Sequence, residues 1–140
     1  MAARHEIVAA IAQFALFADL STPQLDAVAG QFNEAWFADG ERIVRQGLTG
    51  SGFYIILEGS CSVSIDGVER AILGPGEFFG EVSVLLGEPP TADVIAHGKV
   101  RCLLLGAPSA EPLFLSYPRF MFRMLQAQAR RLRNANRWRS

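Results

Sequence analysis

The sequence predicts a mainly β fold with flanking helices, a β-roll, on three observations. Between Phe32 and Leu105 short apolar runs are separated by turn residues at intervals suited to a small barrel. Within that stretch Cys61, Val63 and Ile65 alternate with Ser60, Ser62 and Ser64, the period of a strand with one wet face. On both sides the apolar spacing lengthens to that of helices. The chain has 140 residues, 50% of them hydrophobic and 19% charged, enough for one core but not for a second folded unit. The reading is one domain over residues 1–140, with N-terminal helices at 1–31, the roll at 32–105 and C-terminal helices at 112–138.

From Ala2 to Gln31 the pattern is helical, with Ile7, Ile11, Phe14, Leu16 and Phe17 on one side. Ser21-Thr22-Pro23 opens a second helix carrying Leu25 and Val28, because a proline fits a first helical turn without losing a hydrogen bond. Asp39-Gly40, Gly50 to Gly52, Gly74 to Gly76 and His97-Gly98 then punctuate the strands. Asp66-Gly67 supplies a tight hairpin turn with positive φ. From Leu113 onward Met121, Leu125, Gln128, Leu132 and Ala135 lie near one helical stripe, while Arg123, Arg130, Arg133 and Arg137 spread over the rest.

Several function classes are not expected. Cys61 and Cys102 sit in apolar segments without metal-spaced partners and read as buried, reduced thiols. His5 and His97 lack carboxylate or cysteine partners at ligand spacing, so no metal site and no cofactor are expected. No nucleophile stands at motif spacing from a base, which argues against an enzyme. No apolar run approaches the roughly 18–20 residues of a membrane span, and Met1 to Ala10 lacks a signal-like apolar core, so the cytoplasm is the default. A net charge of −1 hides an asymmetry: residues 1–111 hold six basic and fourteen acidic side chains, whereas residues 112–140 hold seven arginines and no acid. That basic segment reads first as a solvated helix face and otherwise as a contact for a phosphate, a partner or a lipid surface. It runs to Ser140 with no room for a helix-turn-helix, so nucleic acid is not the expected ligand.

The stretch Gly76 to Val94, GEFFGEVSVLLGEPPTADV, carries the chemistry. Gly80-Glu81 opens a short apolar run, Val82 to Leu86, closed by Gly87-Glu88-Pro89-Pro90. A helix start beside a flexible glycine offers unpaired N–H groups and a positive dipole end, where an anion can dock.

These residues resemble the phosphate-binding cassette of the cyclic nucleotide-binding domain family, which reads roughly F-G-E-x-x-L-L-x-x-x-P-R-(S/T/A)-A-x-V. Phe79, Gly80, Glu81, Leu85, Pro89, Thr91, Ala92 and Val94 fit; Pro90 stands where the family has arginine. Upstream, Phe37, Gly40, Ile43, Gln46-Gly47, Gly50, Phe53-Tyr54, Ile56 and Gly59 reproduce the family's framework, and Val94 to Leu105 is similar to its last two strands. The resemblance covers about 120 residues. It implies a double-stranded β-helix (a jelly-roll-like β-roll) with a short cassette helix and a C-terminal lid helix.

It also implies a regulatory module sensing a cyclic nucleotide, cAMP favoured over cGMP, with the signal carried by the C-terminal helix. Carried over by position, Glu81 is the ribose ligand, Gly80, Val82 and Ser83 form the amide cradle, Thr91 is a second phosphate donor beside Ala92, and Pro90 vacates the guanidinium's place. Arg130 or Arg131 would have to cap the base or supply the missing cation. Losing a charged hydrogen bond of about 1.5–3 kcal/mol weakens binding by about one to two decades. Asp93, if it pointed into the pocket, would repel a phosphate further. The alternative is a degenerate fold that binds no nucleotide and serves as a scaffold. The C-terminal helix is also a candidate seam for a homodimer or for the output domain of a larger protein.

Overall fold

The computed structural model describes residues 4–48 and 52–137. In chain order they form α1 (Arg4–Ile11), a 3₁₀ turn (Ala15–Phe17), α2 (Thr22–Ala29), β1 (Asn33–Phe37), β2 (Arg42–Val44), β3 (Gly52–Ile65), β4 (Val68–Leu73), β5 (Phe78–Phe79), α3 (Glu81–Leu86), β6 (Asp93–Gly106), α4 (Ala107–Ser116) and α5 (Pro118–Arg137). Ala2 of the expected first helix, and Gly50 of an expected turn, lie outside the described residues. Among the described residues, no helix is long and apolar enough to cross a membrane, and no cluster of three His, Cys, Asp or Glu side chains could hold a metal ion.

The architecture is a mainly antiparallel β-roll flanked by helices, built on two long strands. β3 and β6 pair along their whole length, from Gly52↔Gly106 to Ser64↔Asp93; β1 and β2 add to β6, and β4 and β5 add to β3. Both strands turn a corner at the same level. Glu58 pairs with Arg101 and Ser60 with His97, so Gly59 alone faces three residues of β6. Gly59 has φ +87°, and a Cβ there would lie 2.4 Å from the Lys99 carbonyl oxygen, so only glycine fits. The sequence suggests two strands between Val94 and Leu105; the structure joins them, because a bulge with left-handed glycines bends the ladder by shifting its register. The Asp66-Gly67 turn has positive φ at both residues, 53° and 80°, as a two-residue hairpin requires.

Local chemistry starts α2 as expected. The Ser21 hydroxyl accepts from the Gln24 amide, the Gln24 side chain accepts from the Ser21 amide, and Pro23 occupies the first turn. Helix α4 begins earlier than the sequence suggests, at Ala107 rather than 112, since Pro108 lies in its first turn, where a missing N–H costs nothing.

The core has two parts. Inside the roll, Cys61 and Cys102 are fully buried among Ile56, Ala96 and Val100, and burial pushes their thiols up to about 11 and about 12. Between roll and helices an aromatic cluster centres on Phe53, whose ring lies 6.4 Å from Phe32, 5.7 Å from Phe78, 5.2 Å from Phe114 and 6.2 Å from Phe120.

This cluster sets the rotation of α5. Phe120 and Met124 are buried, and Met121, Ala127, Gln128 and Arg131 are half-buried, whereas Leu125 and Leu132 of the stripe read from the sequence are each 63% exposed. The helix carries two apolar stripes, and contact of Phe120 with Phe17, at 5.2 Å, decides which faces inward. Arg119 and Arg123 lock the rotation by donating to the Asp19 carboxylate at 2.8–3.2 Å, which lowers the Asp19 pKa chiefly through the Arg123 hydrogen bond. Phe53→Ala removes the common partner of four rings and is expected to cost about 3–5 kcal/mol in a chemical denaturation curve, against less than about 1.5 kcal/mol for a volume-conserving swap elsewhere in the core.

Candidate functional site

The site is built outward from Gly80. It joins β5 to α3 with φ +88°, and a Cβ on it would fall 1.9 Å from the Gly52 carbonyl oxygen. Glycine is obligatory there on both counts. The preceding Phe79 is fixed by a near-parallel stack on Tyr54, 4.7 Å between centroids. Helix α3 then starts at Glu81, and the N–H groups of a first helical turn have no carbonyl one turn earlier in the helix to pair with.

The far end of α3 is braced by its own residues. Gly87 ends it in the left-handed region, and the Ser83 carbonyl accepts from the Gly87 and Glu88 amides at 2.9 and 3.2 Å. The Ser83 hydroxyl donates to the Glu88 carbonyl. The chain then returns to the roll, where buried Pro90 accepts from the Gly47 amide at 2.8 Å and the Asp93 carboxylate accepts from the Gln46 amide at 2.8 Å. Gln46 in turn exchanges two hydrogen bonds of 3.0 Å with Asp66. The Gln46-Gly47 pair thus clamps the cassette's end, a role that its motif position alone does not reveal. Asp93 is committed to this turn and does not line the cavity beside it.

That cavity, of about 220 Å³, lies between the roll and α5. Gly80, Glu81, Val82, Ser83, Pro90, Thr91, Ala92 and Arg131 all line it, along with apolar side chains of the strands such as Val44, Val63 and Leu73. Arg130 does not; it lines a neighbouring groove with Glu77, Arg123 and Asn134, which Arg131 borders from its other side. Gln128, which the sequence singles out only as a member of a stripe, is the second α5 residue in the cavity wall.

Glu81 holds the two halves together. Its side chain is only 4% exposed. The Gln128 side-chain amide donates to Oε2 at 2.6 Å, and Arg131 Nη1 lies 3.5 Å from Oε1. Arg131 also donates to the Phe78 carbonyl at 2.7 Å and lays its guanidinium 4.4 Å from the centre of the Phe78 ring. Burial raises the Glu81 pKa, and the opposing pull of Arg131, of its own backbone amide and of Gln128 does not cancel it. The arrangement offers a buried carboxyl acceptor, helix-start amides and one cation around an apolar hollow, the equipment for a polar ligand with a hydroxyl, an anionic group and a flat apolar part.

A sequence model of the cyclic nucleotide-binding domain matches residues 34–117, and the chain belongs to that family. The cAMP-dependent protein kinase regulatory subunit of Mucor circinelloides f. lusitanicus is 33% identical over 100 residues, 69% of this chain and 23% of that protein. The regulatory domain of Toxoplasma gondii PKA, solved with cAMP, is 28% identical with a TM-score of 0.77 over 90% of this chain and 50% of that one. The catabolite activator protein of Thermus thermophilus is 30% identical with a TM-score of 0.77 over 87% of this chain and 60% of that one. The chain therefore spans less than a quarter of the Mucor protein and half of the Toxoplasma chain.

Gly80→Ala forces a side chain into the Gly52 carbonyl and is expected to cost more than the about 1–3 kcal/mol of a left-handed non-glycine residue alone, read from denaturation midpoints. Because the Glu81 pKa is raised on folding, the native state holds that proton more tightly than the unfolded chain. Its contribution to stability is present at low pH and is lost as the pH rises from the ordinary glutamate range through the raised value. Glu81→Gln removes the titration, so the melting temperature of wild type is expected to fall relative to that of the variant as the pH rises toward neutrality. Parallel pH profiles for the two proteins would contradict the raised value.

Proposed function

We propose that this chain is a non-enzymatic, cytoplasmic regulatory module in which residues 1–140 act as one unit and bind a cyclic nucleotide, cAMP in preference to cGMP, in the cavity under α5. The observation that carries this reading is the placement of a left-handed glycine, the start of α3 and a buried glutamate around one hollow, within a member of the cyclic nucleotide-binding domain family. Glu81 is the acceptor for the ribose hydroxyl, the amides of Gly80, Val82 and Ser83 cradle the cyclic phosphate, and Thr91 adds a hydroxyl beside Ala92. The preference for adenine rests on relatives: the Mucor protein is a cAMP-dependent kinase subunit and the Toxoplasma domain was solved with cAMP.

Helix α5 carries the signal in this reading. It touches Glu81 through Gln128 and Arg131, so a ligand that engages Glu81 alters the contacts that hold the helix, and differential affinity for its positions shifts the balance between them. The outer stripe of Phe122, Leu125, Ala129 and Leu132, exposed and at three- and four-residue spacing, is the surface offered to a second copy or to an output segment.

One observation favours a second reading, a fold that binds no nucleotide and serves as a scaffold: Pro90 is buried in the cavity wall with neither charge nor N–H where the family's cassette has arginine. Calorimetric titration separates the two. The sensor reading expects saturable binding of cAMP, weaker binding of cGMP, and a loss of about 10- to 100-fold in affinity for Glu81→Ala, the equivalent of one charged hydrogen bond. No saturation at millimolar ligand, together with binding created by Pro90→Arg, would establish the scaffold reading instead.

A further inference from the structure

The cavity holds an unusual distribution of charge for a pocket that is to take an anion. Among its described lining residues Glu81 is the one acid and Arg131 the one base. A cyclic phosphodiester brings one negative charge, so a ligand placed on the cassette without a cation would sit beside a carboxylate with only neutral donors to offset either. Pro90 cannot supply that cation, and its carbonyl is tied to Gly47 at 2.8 Å, which fixes this part of the wall. Arg130, one residue before Arg131, lies in the other groove.

Arg131 borders both that groove and the cavity. Its side chain is 33% exposed, anchored at one edge by the Phe78 carbonyl and by stacking on the Phe78 ring, and at another by Glu81. A guanidinium carries five N–H donors in a flat fork, and these two polar contacts use two of them. It can therefore keep its contact with Glu81 Oε1 while turning further donors to a second anion. Gln128 is not so endowed: its amide occupies Glu81 Oε2 with a single donor at 2.6 Å, the kind of bond that a ribose hydroxyl replaces one for one.

Resting on the reading above, we infer that Arg131 supplies from α5 the cation that the cassette lacks, bridging the Glu81 carboxylate and the cyclic phosphate, while the ribose hydroxyl displaces Gln128 from Glu81 Oε2. Hydrogen bonds to the carboxylate are conserved in number across the exchange, and the guanidinium gains a partner. The charge that fixes the phosphate then belongs to α5 and not to the roll, so ligand affinity and helix position are linked through one side chain.

The test is calorimetric titration of cAMP, and of adenosine as an uncharged probe, into wild type, R131Q, Q128A, P90R and P90R/R131Q. R131Q is expected to bind cAMP about 10- to 100-fold more weakly, with adenosine affinity unchanged. Q128A, which frees Oε2, is expected to bind cAMP as well as wild type or better. P90R is expected to raise affinity more in the R131Q background than in wild type, because it restores a cation that is missing only there. Equal cAMP affinity in R131Q and wild type would overturn the assignment while leaving the sensor reading intact. A matching loss in Q128A and R131Q, or a loss that extends to adenosine, would reduce Arg131 to a helix tether and overturn it also. Wild type without saturable cAMP binding would remove both readings together.

Discussion

The burial of one carboxylate under a helix is the constraint that organises this molecule. Glu81 is held away from water by α5, and the cost is offset in part by Gln128 and Arg131 of that same helix and by its own backbone amide. Each surrounding feature serves that placement. Gly80 adopts a backbone that no other residue could adopt against Gly52, which turns the chain into α3 with Glu81 at its first position. The Phe53 cluster and the Asp19 pairs orient α5 so that Gln128 and Arg131, and not Leu125 and Leu132, face the roll. A buried acid satisfied from across a tertiary contact makes the contact specific, since this rotation of the helix brings it two donors, Gln128 and Arg131.

The charge asymmetry has a structural counterpart. The C-terminal segment is basic and the remainder acidic, and three of its arginines are spent on the body of the chain: Arg119 and Arg123 on Asp19, and Arg131 on Glu81. Part of what looks in sequence like a free basic arm is thus an internal clamp. Arg130 and Arg133 remain on the surface.

Features written in short stretches of sequence were legible. The helix start at Ser21-Thr22-Pro23, the Asp66-Gly67 turn and the short helix after Gly80 all depend on neighbours within a few residues, where backbone sterics and hydrogen-bonding capacity decide the outcome. The alternation read from Ser60 to Ile65 holds at Cys61 but not beyond it, for Ser62, expected on the wet face, is 4% exposed while Val63 and Ile65 are half-buried. What stayed hidden depends on distant partners. Periodicity marks two apolar stripes on α5, but only packing against Phe17 and Phe53 chooses between them. The corner near Gly98 reads as a strand end because its continuity is visible only once Gly59 is seen opposite it. In the candidate site, the cassette residues lie close in sequence and were grouped from it; Gln128, 47 residues away from Glu81, was not. Arg130 and Arg131 could not be told apart for a similar reason, as adjacent helical residues point about 100° apart and the rotation of the helix is a tertiary property.

The separation of faces on α5 has an evolutionary corollary. The outer stripe of Phe122, Leu125, Ala129 and Leu132 shares no residue with the cavity wall, so substitutions accumulating on it leave the hollow and its carboxylate untouched. A lineage carrying this helix is free to exchange what it docks against without relearning what it recognises, and the reverse drift is equally open.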